Sequence, residues 1–247
     1  MSRLSIESTS ISLERVAIIA GCEQHIASAI ARRFVQRGDR VVICGSPPGE
    51  GTTGIAGEFT PTYVVQDGPG QIIASALDLH GRLDVLVIGS AFVETGGAVG
   101  QAIETLSNLM TTAARHMRSG GQIVNILSSA GRYRTAYFQS AADIDKSFTS
   151  KAAVDGAVFA LTRQAGFELA PRVRVNAVSL GWIGSPERDR EWDAMSADER
   201  HYLIEEISLS RLGEPDEVAA VVEFLASEAS SYVTCNAIDV NGGWWTS

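Results

Sequence analysis

The chain has 247 residues, 45% of them apolar, with 20 Lys and Arg against 29 Asp and Glu for a net charge of −9. That length and apolar content suit one α/β domain with a sizeable core. The acidic balance argues against a nucleic-acid backbone or an anionic membrane surface as the main partner.

Residues 1–13 read as an N-terminal leader with neither the charged start nor the apolar stretch of a signal peptide. The expected domain is a single one over 14–247. VAIIA at 16–20 is short, continuous and apolar, which predicts a buried strand, and a helical pattern over 24–37 follows. VVIC (41–44) predicts the second strand and TYVV (62–65) the third. Between them residues 46–62 read SPPGEGTTGIAGEFTPT, without helical period. The crossover that ordinarily carries a helix between parallel strands is therefore expected to be a loop here. A helix at 70–80, a strand VLVI at 85–88, a helix at 98–118 and a strand QIVNI at 122–126 come next. A helix over 145–169, a strand VRVNAV at 173–178, a helix over 215–227 and a strand AIDV at 237–240 complete the series. The 215–227 helix opens Glu214-Pro215-Asp216-Glu217, where proline and early acids suit a helix start. Strands apolar on both faces, alternating with helices, predict a Rossmann-type, doubly wound parallel sheet in three layers. No run approaches the ~18 apolar residues of a membrane span, so a cytoplasmic protein is expected. Cys22, Cys44 and Cys235 lie far apart, so neither a disulfide framework nor a metal site is expected.

The segments RVRVNAVSLGWI (172–183), RLGEPDEVAAVVEFLASEASSYVT (211–234) and AIDVNGGW (237–244) resemble the short-chain dehydrogenase/reductase family. GGQIVNILSSAG (120–131) and SKAAVDGAVFALTRQAGFELA (150–170) match the same family, and the resemblance runs from about residue 14 onward. It implies a Rossmann-type domain, usually dimeric or tetrameric, that interconverts alcohols and carbonyls with NAD(P).

The family's cofactor turn, TGxxxGxG, is here Ala20-Gly21-Cys22-Glu23-Gln24-His25-Ile26-Ala27. Gly21 keeps the first glycine. His25 takes the second, where glycine lets the backbone approach the pyrophosphate; an imidazole projects into that volume. Ala27 takes the third, a position that serves helix–strand packing. Glu23 reads either as a plain capping residue or as an anion that satisfies the helix N–H groups and repels phosphate. Gly45-Ser46 offers neither the acid nor the arginine that selects a ribose. Asp67 stands where the family places an adenine-contacting aspartate, or is a turn residue before Gly68. Ile88-Gly89-Ser90-Ala91 replaces the family's NNAG. No dinucleotide cofactor is expected to bind.

The resemblance also implies a tyrosine, a lysine four residues later, a serine and an asparagine as catalytic groups. Ser129 and Lys151 keep the serine and lysine. Ser147 occupies the tyrosine position, and an alkyl hydroxyl titrates far above a phenol's pKa of ~10, so it cannot act as general acid near neutrality. The asparagine position falls near Ala102. The expected function is a non-catalytic subunit that assembles with an intact, NAD-binding paralogue as a heterodimer or heterotetramer. Two alternatives stand: an NAD(P)-dependent oxidoreductase recruiting Tyr133 or Tyr137, and a non-redox enzyme resembling halohydrin dehalogenases. The latter is disfavoured by Ser147 and Lys151 in place of their Tyr and Arg. The helix from Ala152 to Leu169 carries Ala153, Gly156, Ala157, Ala160, Leu161 and Phe167 and is expected to be buried; in the family it packs across a dimer axis. Trp244-Trp245 either inserts into a neighbour or packs on the chain's own sheet.

Overall fold

Continuous apolar runs become the centre of a parallel sheet because both of their faces are covered by helices. The computed structural model describes residues 14–44, 62–64, 69–89, 99–129, 146–185 and 192–244. Its strands are β1 (Val16–Ala20), β2 (Arg40–Cys44), β3 (Thr62–Val64), β4 (Leu83–Gly89), β5 (Met117–Ser128), β6 (Val173–Leu180) and β7 (Ala237–Val240). They run parallel in the order β3-β2-β1-β4-β5-β6-β7. From β1 the chain winds outward through β2 and β3, then returns to build β4 on the other side. The strand order therefore reverses between β1 and β4, and in open α/β sheets the crevice beyond the carboxyl ends at such a point is where ligands bind.

Helices α1 (Gln24–Gln36), α2 (Pro69–His80), α3 (Val99–His116), α4 (Lys146–Leu169), α5 (Ala197–Glu206) and α6 (Pro215–Leu225) cover the sheet and its carboxyl end. Strand alternation sends Val16 and Ile18 of β1 to one face, with Leu86, Leu109 and Ile123. It sends Ala17 and Ile19 to the other, with Ile30 and Phe34 of α1 and Val218 and Val222 of α6. The expected three-layer, doubly wound Rossmann-type architecture is what forms. At the rim, α1 and α6 are joined by Arg32–Asp216 at 2.9 Å and Arg33–Glu223 at 3.0 Å.

Two expectations about the elements need correction, and two about burial are resolved within the chain. Helix α5 was not anticipated; its polar sequence buries only Leu203, although Ser196 and Glu199 form a capping box at its start. Strand β5 begins at Met117, where the helix was expected to continue to 118: Met117 pairs with Leu83, and the register shifts before Val85 pairs with Gln122. Within this chain helix α4 is buried on one face. Val154, Asp155, Val158 and Thr162 turn inward, while Ala153 and Ala160 are exposed and Phe167 is 78% exposed. Trp244 is buried within its own chain, edge-on to Trp182 at 6.1 Å and beside Leu203 and Ile207. The chain's own apolar cap, not a neighbour, covers it; Trp245 lies outside the described residues. The 46–62 crossover also lies outside them, apart from Thr62, which opens β3. Among the described residues no helix is long and apolar enough to cross a membrane.

Candidate functional site

The turn between β1 and α1 opens at the switch point. Gly21 leaves the strand at φ 64°, a left-handed conformation suited to glycine, and α1 starts at Gln24 with Glu23 as its N-cap. The Glu23 side chain makes no capping hydrogen bond, so it neither caps the helix nor satisfies its N–H groups; of the second sequence reading only the negative charge beside them remains. Caps are made by the shorter side chains of Ser, Thr, Asp and Asn. The Glu23 carboxylate instead stands 3.5 Å from His25 Nε2, with the Glu23 side chain half exposed and the His25 side chain mostly buried. Ala27 is buried between α1 and the sheet, as a packing position should be.

A pyrophosphate binds such a turn through bare helix N–H groups and close backbone approach. Here a carboxylate sits at the helix N-cap and an imidazole is tucked in at the position where close approach requires glycine. The N–H groups at the start of α1 are left uncapped by Glu23, but its carboxylate and the non-glycine residue at position 25 do not suit a dinucleotide's phosphates. Ile88, at the first NNAG asparagine position, is buried in the apolar core. Asp67, Gly45 and Ser46 lie outside the described residues.

The second half of the site gathers beyond β5. Ser129 follows the strand and is buried. Ser147 and Lys151 lie one helical turn apart in the first turns of α4, and α4 packs on β5 and β6, so the fold brings the strand end and the helix start to one edge of the sheet. Ala102 lies on α3 at 3% exposure, in an apolar cluster with Leu106 and Leu109. The position is packed into that core. Tyr133 and Tyr137 lie outside the described residues.

Sequence reasoning missed two features here. Asp155, one turn beyond Lys151, is fully buried, and its carboxylate accepts a hydrogen bond from the Ser128 hydroxyl, next to Ser129. Its signal was a lone acid amid the apolar residues of α4, four positions from a lysine. The second is a cap of Trp182, Trp192, Trp244, Met195, Leu203, Ile207 and Leu212 after β6. Gly213 stitches this segment down, donating to the Trp182 carbonyl and accepting from the Gly184 N–H, both at 2.9 Å. The three cysteines are free thiols. Among the described residues no group of three His, Cys, Asp or Glu side chains is placed to hold a metal.

Residues 20–245 match the family model described as enoyl-(acyl carrier protein) reductase. The chain is 30% identical to dehydrogenase/reductase SDR family member 4 of Sus scrofa, over 93% of this chain and 86% of that one. It is 28% identical to the 3-oxoacyl-[acyl-carrier-protein] reductase FabG of Thermotoga maritima, over 93% and 97% of the two chains. Among solved structures, the short-chain dehydrogenase/reductase SDR:glucose/ribitol dehydrogenase of Brucella melitensis matches with a TM-score of 0.72 at 27% identity. That match covers 94% of this chain and 97% of the other.

Proposed function

The chain belongs to the short-chain dehydrogenase/reductase family, and from that premise we propose that it is a non-catalytic member, a subunit that assembles with an intact, NAD-binding paralogue as a heterodimer or heterotetramer. The observation that carries this reading is the β1–α1 turn, where the His25 imidazole and the Glu23 carboxylate stand 3.5 Å apart at the start of α1. The supporting losses are independent of it. Ser147 cannot supply the phenol that ionises in the family's reaction, and Ala102 is committed to the core. Ser129 and Lys151 then persist as structural remnants, one closing a strand and one in the first turns of a helix. The outer face of α4, with Ala153, Ala160 and Phe167 exposed beside Arg163, Gln164 and Glu168, offers a mixed surface for the partner on which Phe167 is the large apolar group. The pattern of losses resembles the inactive subunit of the heterotetrameric 2-[hydroxy(phenyl)methyl]succinyl-CoA dehydrogenase. It extends the proposal to a complex oxidising an aromatic hydroxyacyl-CoA.

A second reading, an NAD(P)-dependent oxidoreductase that recruits Tyr133 or Tyr137, is favoured by the relatives, which are named as dehydrogenases and reductases. The two readings separate when the untagged chain is isolated from its native source and its co-purifying chains are identified. The subunit reading expects a stoichiometric homologue carrying Tyr-x-x-x-Lys. A homotetramer that turns over a carbonyl substrate with NADH or NADPH contradicts it.

A further inference from the structure

The contact between the ends of β1 and β4 goes beyond the side chains at positions 23 and 25. Gly89, the last residue of β4, has an ordinary backbone conformation, since its φ is not among the positive values in the chain. What it needs is space. A Cβ on residue 89 would lie 2.1 Å from the Gly21 carbonyl oxygen, 2.6 Å from its carbon and 2.7 Å from Cys22 Cα. All three are backbone atoms, so no rotamer change relieves the overlap. Any side chain at 89 requires the turn to retreat by about 1.5 Å to reach ordinary contact distance. A glycine ending a strand at such a contact marks a close approach of another backbone.

The same approach seats Cys22. Desolvation, reinforced by the nearby Glu23 carboxylate and only partly offset by a hydrogen bond with the Gly89 backbone, pushes its thiol up to about 12. The residue is part-exposed overall, so it is the sulfur against β4 that has lost water.

We propose that Gly89 is a latch position: the missing side chain lets the Gly21–Cys22 turn close onto β4, and this backbone contact holds the turn in its present state independently of the His25 imidazole. The inference rests on the reading that this turn does not hold a dinucleotide, and it adds that two separate devices shape it. Restoring glycine at position 25 therefore does not release the turn, whereas a methyl group at position 89 does.

Cys22 is a built-in reporter of that movement. The test is the rate of alkylation by iodoacetamide at pH 8, resolved by site with mass spectrometry, on the full-length wild type, Gly89→Ala and His25→Gly. Cys44 serves as the internal reference, since desolvation pushes its thiol to about 12 as well and it lies in strand β2. Thiolate is the reacting form, so a thiol returning toward its ordinary pKa of ~8.5 gains reactivity steeply. Gly89→Ala is expected to raise the Cys22 rate at least about tenfold while Cys44 changes less than about twofold. His25→Gly is expected to leave Cys22 at the wild-type rate. The proposal is overturned if Gly89→Ala leaves Cys22 unreactive, if Cys22 and Cys44 rise together as in global destabilisation, or if His25→Gly alone exposes Cys22. Should Gly89→Ala fail to fold, a rise of the Cys22 rate in His25→Gly still overturns the proposal. Binding of NADH by the wild type would refute the functional reading without changing either cysteine's rate, so the two failures are distinguishable.

Discussion

Replacing Ala102 by asparagine reinstates the residue type that the family resemblance implies, at a site the fold has given to packing. Ala102 is 3% exposed, and its neighbours in the cluster, Leu106 and Leu109, are apolar. A carboxamide placed among these apolar side chains loses water, at a cost of about 1–3 kcal/mol. Its extra volume in a close-packed interior adds about 1–3 kcal/mol of overpacking. The expected loss is therefore about 2–6 kcal/mol, a large share of the ~5–15 kcal/mol that holds a domain folded. In a chain of this size it lowers Tm by roughly 4–24 °C. Urea unfolding followed by circular dichroism measures it as a lower midpoint at unchanged slope. A loss below about 1 kcal/mol would mean that position 102 faces a polar cavity, and the assignment of this position to the core would be wrong.

Trp244→Ala should destabilise the isolated chain by about 3 kcal/mol, at every protein concentration, because its partners Trp182, Leu203 and Ile207 are in the same chain. A loss seen only as dissociation at low concentration would restore insertion into a neighbour. Phe167→Glu should leave the folded chain within about 0.5 kcal/mol of wild type, since Phe167 is 78% exposed. The same substitution should weaken association with the partner subunit at least about tenfold; unchanged association by analytical ultracentrifugation would remove this face of α4 from the interface. Glu217 is held down to about 2 by the Arg211 guanidinium, chiefly through its hydrogen bonds, and by the Glu214 N–H. Its folded value lies below the unfolded value of ~4.3, so its stabilisation is present above that pH and fades as pH falls toward about 2. For so exposed a pair the effect is at most about 1 kcal/mol. Glu217→Gln should therefore lower Tm slightly at pH 7 and converge with wild type near pH 2; an equal gap at both pH values would disprove the linkage.

The sheet was legible because its strands are continuous apolar runs between helical patterns, a signal that survives without tertiary information. Met117 to Gly121 was not, since a strand entered through Arg118, Ser119 and two glycines has no apolar period, and only its pairing with Leu83 and Val173 defines it. Helix α5 was missed for a related reason: a helix that buries Leu203 alone has hardly any apolar stripe, although its capping residues Ser196 and Glu199 were in plain view. At the site, residue identity located the departures at positions 25, 102 and 147. It did not reveal what Glu23 does, because a capping bond depends on side-chain reach and helix entry angle. Nor did it reveal Gly89: a glycine looks like a lost asparagine until the carbonyl that fills its place is seen. Asp155 was unread because a buried acid is recognisable only once its burial and the Ser128 hydroxyl are known.

Titration of the purified chain with NADH and with NADPH, followed by nucleotide and tryptophan fluorescence, tests the loss of dinucleotide binding most directly. With His25 and Glu23 at the phosphate turn, no saturable binding is expected up to about 1 mM, corresponding to less than ~4 kcal/mol of binding free energy. A saturable Kd below about 100 μM, lost on addition of excess NAD(P), would contradict it.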